Sequence, residues 1–416
     1  MELRDAAGHV VVGGGVLGLS AAWRLAERGA DVLVLDKGRI GGGASGAAGG
    51  IVRNYYRAPA ITDVVRLSVE MFEADPEAFG FRQVGYLAAV PEAQVDDLMA
   101  INGRHRECGY ESELVVGEGP CSEYLGWTWP DWEAPVAALL HERRGGWADP
   151  MRTVRRLAEL AQAAGAEIAE GVEVTGIESG EGGVEVLETS RGRISCERLL
   201  LAPGPWAAGV LGMLGGDWPP ISYWKAQEGE FELRAAAAGA RAGREPPVVH
   251  LDQAGPLRSD ADDSVLVDGP WGVYFRVGAG GATVTGGGLP LPLVEPDLDP
   301  YGPDNPEHAA EPAFADFFTS GLAAAAGRFR GRAGDWRTTL AGGIVSHTPD
   351  NYPICDWVAP NAYAIVDSGH GFKLLALGRL AADEFLDGEP RLEPFRLSRF
   401  ERGETHPASK GPYPWT

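Results

Sequence analysis

His9-Val10-Val11-Val12-Gly13-Gly14-Gly15-Val16-Leu17-Gly18 is the stretch that decides the fold. The β-branched run at residues 10–12 reads as a buried parallel strand. It passes directly into G-x-G-x-x-G at Gly13, Gly15 and Gly18. Leu19, Ala22, Trp23 and Ala26 then recur at helical spacing, and Gly29 ends the helix with a residue that tolerates a left-handed conformation. A second strand, residues 32–35, ends at Asp36. Gly13 permits the tight turn, Gly15 lets the backbone approach a pyrophosphate, and Gly18 lets helix and strand pack closely. Val16 and Leu17 open the helix, where free N–H groups and the positive dipole end attract phosphates. Asp36 lies 18 positions beyond Gly18, placed to accept hydrogen bonds from a ribose diol. Strand, glycines, helix, strand and acid in this order predict a dinucleotide-binding unit.

The motif serves NAD and FAD alike. Residues 37–50, KGRIGGGASGAAGG, are dense in glycine and alanine, which suits backbone lying against a large flat cofactor. That leans toward FAD and adds Lys37, Gly43, Ala44 and Ser45 to the candidate cofactor contacts. An NAD-dependent dehydrogenase is the rival reading.

Further along, residues 151–164 carry Val154, Leu157, Leu160 and Ala161 at helical spacing. Strand-like runs follow at 167–169, 172–177 and 199–201, the last ending in Ala202-Pro203-Gly204, and all are expected in the N-terminal parallel sheet. Residues 86–150 and 216–335 are rich in Trp, Pro and Gly, with alternating runs such as 272–277 that predict antiparallel strands. Residues 290–306 read as an exposed loop and 235–244 as a linker or short helix. Residues 362–366, 367–371 and 372–385 form a strand, a glycine turn and a helix, a second helix N-terminus able to address a cofactor.

The charge balance narrows the function. Lys and Arg total 36 against 59 Asp and Glu, a net −23, which argues against a partner recognised through its phosphate backbone. Cys108, Cys121, Cys196 and Cys355 are scattered without metal-ligand spacing, so neither a metal site nor a disulfide framework is expected. No apolar run reaches the ~18–20 residues of a membrane span, and Glu2 and Asp5 stand where a signal peptide is basic. A cytoplasmic protein is expected. Only four lysines occur, Lys37, Lys225, Lys373 and Lys410, so each position carries information.

Five segments taken together resemble a known family. They are residues 10–18 with Asp36, residues 43–53, Ala202-x-Gly204-x-Trp206, Thr348-Pro349-Asp350 with Pro353, and Gly369-His370-Gly371-Phe372-Lys373. The ordered set resembles the flavin-dependent D-amino-acid-oxidase-like superfamily. Within it, the match is to the branch of sarcosine oxidase (including its beta subunit), glycine oxidase and N-methyl amino acid oxidase. The resemblance implies an α/β fold with a Rossmann-like, glutathione-reductase-like FAD-binding domain and an antiparallel-sheet substrate domain. The expected division is 1–85, 151–215 and 336–416 for FAD, and 86–150 and 216–335 for substrate.

The same resemblance implies residue roles. The backbone at Val174 meets the adenine, while Ala202, Gly204, Trp206, Gly343, Gly369, His370, Gly371, Phe372 and Lys373 complete the cofactor site. Arg53 and Lys373 grip a substrate carboxylate; the planar arginine fork suits bidentate carboxylate binding on physical grounds alone. Lys373, Arg53 and His370 are the expected catalytic set, although a histidine between two glycines also reads as a turn residue held by backbone. Tyr55 and Tyr56 are expected at the substrate, and with Trp127, Trp129, Trp132 and Trp224 they offer cation–π contacts of ~0.5–2 kcal/mol each to an ammonium. For the tryptophans of 127–132, core packing is the stronger reading.

Relatives that link flavin covalently use a Cys where this chain has Gly343, or a His where it has Gly46. FAD is therefore expected to be non-covalent. Gly50 stands where some relatives hold a second arginine, and the oxygen-activating lysine is not evident near residues 274–276. The electron acceptor is thus O2, a quinone or a protein. The expected reaction oxidises the C–N bond of a small amino acid or N-methyl amino acid to an imine by hydride transfer to flavin N5. The alternatives are a D-amino acid dehydrogenase and a flavin-binding subunit active only in a hetero-oligomer. Homo-oligomers also fit.

Overall fold

The computed structural model describes residues 3–233, 245–278 and 283–406. The linker expected at 235–244 and Lys410 lie outside the described residues.

Strand β1 (Ala6–Val12) leads through the glycine turn into helix α1 (Val16–Glu27) and out along β2 (Val32–Asp36). The chain then contributes β3 (Tyr86–Val90) and β4 (Ala138–Glu142) to a second layer. It returns through α2 (Pro150–Ala163) to β5 (Glu167–Glu170), β6 (Val174–Gly180), β7 (Gly183–Thr189) and β8 (Gly192–Leu201). Next come β9 (Ser222–Leu233), β10 (Val248–Gln253), β11 (Trp271–Val277), β12 (Thr283–Gly288) and β13 (Trp336–His347). The described chain closes with β14 (Ile354–Ala359), β15 (Ala362–Val366) and α3 (Leu375–Asp387).

The first sheet has eight strands, and its parallel part runs β15-β8-β1-β2-β5. Val10 and Val11 are fully buried, as a strand covered on both faces requires. Helix α2 begins where Asp149 accepts from the Arg152 amide at 2.7 Å with Pro150 in the first turn, and it buries Val154, Leu157, Ala158 and Ala161. Helices α1 and α3 touch so closely that a Cβ on Gly378 would stand 2.4 Å from the Leu17 carbonyl. One expectation changes: β6 pairs antiparallel with β7, so residues 172–177 do not extend the parallel sheet. That hairpin folds back because Gly183 takes a positive φ of 114° at its turn.

Among the described residues the second sheet has nine strands, antiparallel except where β10 runs parallel to β3. Strand β13 pairs with β9 along its whole length, so residues 336–347 run with this sheet and not with the first. Phe231, Phe275, Phe318 and Trp336 fill the core on its far side. Trp129 packs in that core with its ring 5.6 Å from Phe275, whereas Trp127 is exposed. Residues 290–306 are not simply an exposed loop. Asn305 is buried, and Tyr301 donates to the Ile344 carbonyl at 2.8 Å. No helix among the described residues is long and apolar enough to cross a membrane.

Candidate active site

A cavity of about 1060 Å³ runs from the glycine turn after β1 to the near face of the second sheet. At its first end the backbone itself is the wall. Gly13 has a φ of 111°, and a Cβ there would meet the Ala202 carbonyl at 2.2 Å. Gly15 caps α1 without any side-chain cap, and a Cβ on it would stand 2.9 Å from Ser45 Oγ. Gly18 does not line the cavity; a Cβ there would lie 2.0 Å from the Gly13 carbonyl, so its task is packing. Asp36 accepts the amides of Gly14 and Gly38, both at 2.8 Å, which fixes its carboxylate at the cavity edge. Burial pushes its pKa up, and the remaining lone pairs suit hydroxyl donors. A helix N-terminus whose first amide, Val16, donates to Ser45 Oγ at 3.1 Å, over a backbone-lined groove with a fixed acid, fits a dinucleotide.

Val16, Leu17, Lys37, Gly43, Ala44, Ser45, Val174, Ala202, Gly204 and Trp206 all line this part. Residues 298–301 also line it. Asp299 bonds Lys37 at 2.5 Å and the Trp206 indole at 3.2 Å, while Lys37 lies 4.0 Å from the Trp206 ring centre. Gly343, Gly369, His370, Gly371, Phe372 and Lys373 line the middle. Gly369 has a φ of 71°, and a Cβ on it would strike the His347 ring at 2.8 Å. Asp367 shapes this turn by accepting the amides of Gly371 at 3.0 Å and His370 at 3.3 Å.

Arg53 lines the same cavity as Lys373, and its charge acts on the lysine. Arg53 is 7% exposed, and its guanidinium lies 5.0 Å from the Tyr56 ring centre and 5.6 Å from those of Tyr55 and Tyr86. One nitrogen donates to the Tyr55 carbonyl at 2.8 Å. Lys373 is only half-buried because it opens on the cavity, yet protein surrounds it. Desolvation, reinforced by the Arg53 charge, lowers its pKa to about 7 against the pull of Asp367 and Glu228. Two cationic groups thus share a small space that favours an anion.

Two expectations are corrected here, and the geometry favours one of the two readings of His370. Tyr55 and Tyr56 do not line the cavity; their rings pack around the Arg53 guanidinium. His370 has both ring nitrogens engaged: Nε2 donates to the Asn351 carbonyl at 2.7 Å and Nδ1 accepts from Tyr56 Oη at 3.0 Å. Burial pushes its pKa well below the usual imidazole value, which favours the neutral ring that these two hydrogen bonds require. Trp224 and Trp132 also stay outside the cavity lining.

The second sheet supplies what sequence reasoning missed. Glu228, Tyr274 and His250 sit on β9, β11 and β10, linked by register through Gly287 on β12, and all three line the cavity. Tyr274 Oη donates to Glu228 at 2.5 Å, and His250 Nε2 bonds Asp252 at 2.9 Å. Tyr86 lines the cavity with a buried hydroxyl that has no hydrogen-bond partner among the described residues. Period-two alternation marks each strand, but only the register brings these polar positions to one face.

Comparison with known proteins agrees with this geometry. A family model described as FAD dependent oxidoreductase (DAO) matches residues 9–384. Human mitochondrial dimethylglycine dehydrogenase is 27% identical over 316 residues, 72% of this chain and 34% of that protein. Sarcosine oxidase subunit beta of Rhizobium meliloti (strain 1021) is 31% identical over 221 residues, 51% of this chain and 53% of that subunit. The chain therefore spans between about a third and a half of these relatives. Among solved structures, L-proline dehydrogenase from P. horikoshii superposes with a TM-score of 0.79 at 23% identity, covering 97% of this chain and all of that one. Glycine oxidase from Geobacillus kaustophilus gives 0.72 at 20% identity, covering 95% of this chain and 99% of that one. The match across nearly the whole chain, with the glycine cradle and fixed acid in place, makes this protein a member of the DAO family of FAD-dependent oxidoreductases.

Proposed function

We propose that the protein oxidises the C–N bond of a small amino acid or N-methyl amino acid to an imine. The observation that carries this reading is the convergence of Arg53 and Lys373 on the end of the cavity beyond the glycine cradle. Bound FAD supplies the acceptor for the hydride. Gly13, Gly15, Ser45 and Asp36 hold its pyrophosphate and ribose, and the 369–373 turn supports its ring. Arg53 offers a planar fork pre-oriented by Tyr55 and Tyr56, so little side-chain freedom is lost when a carboxylate binds. Lys373 adds a second donor, and together they fix the α-carbon in one orientation, which lowers the barrier by positioning.

The test is an anaerobic screen in which flavin bleaching at 450 nm is followed with sarcosine, dimethylglycine, proline, pipecolate, glycine and D-amino acids. Bleaching by at least one carboxylated amine, and none by the matching amine without a carboxylate, is the expected result. Oxidised flavin throughout would support a second reading, favoured by similarity to a protein named as a subunit: a flavin-binding chain that turns over only with its partner. A D-amino acid dehydrogenase is distinguished in the same screen by bleaching confined to D-enantiomers. Reoxidation by O2, a quinone or a protein is read by admitting each acceptor in turn.

A further inference from the structure

Among the described residues, five carboxylates line the cavity: Asp36, Glu173, Glu228, Asp299 and Asp367. Asp36 and Glu173 stand at the dinucleotide end, and Asp299 is held by Lys37 and Trp206. Asp367 is taken up by the amides of its own turn. Glu228 comes from β9 in the opposite layer, and its charge acts on Lys373 within the same cavity. It is half-buried by surface area because it opens on the cavity, although protein surrounds it deeply. The Tyr274 hydroxyl at 2.5 Å and the Gly49 amide fix it, and Arg276 and Lys373 act on it through space. A Cβ on Gly49 would stand 2.6 Å from its carboxylate, so the glycine is what admits the acid here.

An anion-gripping pair facing a single fixed carboxylate is complementary to a zwitterion. We propose that Glu228 is the group that binds the substrate's ammonium nitrogen and takes its proton. The inference rests on the reading above, in which Arg53 and Lys373 hold the carboxylate. The charge-assisted contact orients the nitrogen opposite the carboxylate clamp. The N–H bond then breaks, an O–H bond forms on Glu228, and the nitrogen is left neutral with a lone pair. Both charges vanish in that step, so the buried site loses an ion pair and gains a hydrogen bond. Tyr274 keeps the carboxylate aimed while this happens.

The experiment uses holoenzyme and two probes that differ in charge. Methoxyacetate carries a carboxylate only; glycine betaine adds a fixed positive nitrogen. Dissociation constants are read from perturbation of the flavin absorption band, for wild type, Glu228→Gln and Glu228→Asp. Glu228→Gln keeps shape and removes charge, and the expected result is at least about a tenfold loss of betaine affinity relative to methoxyacetate. Glu228→Asp keeps the charge and is expected to retain most of the betaine preference. The same betaine-to-methoxyacetate ratio in wild type and Glu228→Gln would overturn the proposal while leaving the carboxylate clamp intact. A greater loss in Asp than in Gln would overturn it too, since shape and not charge would then matter. Loss of flavin from both variants would overturn it by assigning the carboxylate to the fold. Failure of methoxyacetate to bind wild type would remove the clamp itself, and this inference with it.

Discussion

Nδ1 of His370 lies 3.0 Å from the hydroxyl of Tyr56, and the Tyr56 ring in turn stands 5.0 Å from the Arg53 guanidinium. The glycine turn beside the cofactor groove is thereby tied to the arginine proposed to bind the substrate carboxylate. Tyr56→Phe keeps the ring against Arg53 and leaves Nδ1 without a donor. An unsatisfied buried acceptor costs about 1–3 kcal/mol, so the melting temperature of the holoenzyme falls. The apparent KM for a bleaching amine rises while the pH profile of kcat keeps its shape. A lost acid or base limb in that profile would instead assign proton transfer to His370.

Arg53→Lys is a sharper probe than Arg53→Ala. Lysine keeps the positive charge but loses the planar fork and its stacking against three tyrosines. Both variants are expected to raise KM for carboxylated amines by about 10–100-fold, the range of a charge-assisted hydrogen bond. Unchanged apparent affinity in both would remove Arg53 from carboxylate recognition.

Much of the dinucleotide end was legible because its chemistry is local. Residues 10–18 carry the turn, the helix start and the strand within one short stretch, and Asp36 follows at a spacing that βαβ geometry fixes. The opposite wall was not legible. Glu228, Tyr274 and His250 are far apart in sequence and meet only through strand register, which a period of two cannot specify. Sequence left the two readings of His370 open for a related reason: its partners, Tyr56 and Asn351, come from remote segments. The hydroxyl of Tyr86 gave no sequence signal, since a tyrosine opening a strand is ordinary core material.

The low pKa of Lys373 gives carboxylate binding a pH dependence of definite sign. Its charged form, the one that attracts an anion, prevails only below about 7 in the free site. Affinity for methoxyacetate should therefore fall as pH rises through that value. Glu142 complicates the profile, because burial pushes it up to about 7 as well, and it acts on Arg53 while accepting the Asn54 amide at 2.5 Å. Its ionisation adds negative charge behind Arg53 and draws affinity down in the same direction. Asp367, Glu228 and His347 also face Lys373, and only the first two favour its protonation. Lys373→Met separates the sources: the pH step shrinks if Lys373 carries it and persists in full if Glu142 does.

Glycine stands at both positions where relatives attach flavin covalently, and the structure explains why each remains small. A Cβ on Gly46 would stand 2.2 Å from the Gly41 carbonyl, so a larger residue there would displace the turn. Gly343 faces the Tyr301 hydroxyl, which a Cβ would approach to 3.0 Å, and Ala47 at 3.2 Å. Neither position offers a nucleophile. Protein precipitated in acid should leave its yellow colour in the supernatant, and the released flavin should be intact FAD by chromatography. Gly13→Ala should lose that colour before precipitation, because the new methyl group meets the Ala202 carbonyl at 2.2 Å on a backbone already at positive φ. Colour retained in the acid pellet would require an attachment point outside these two glycines.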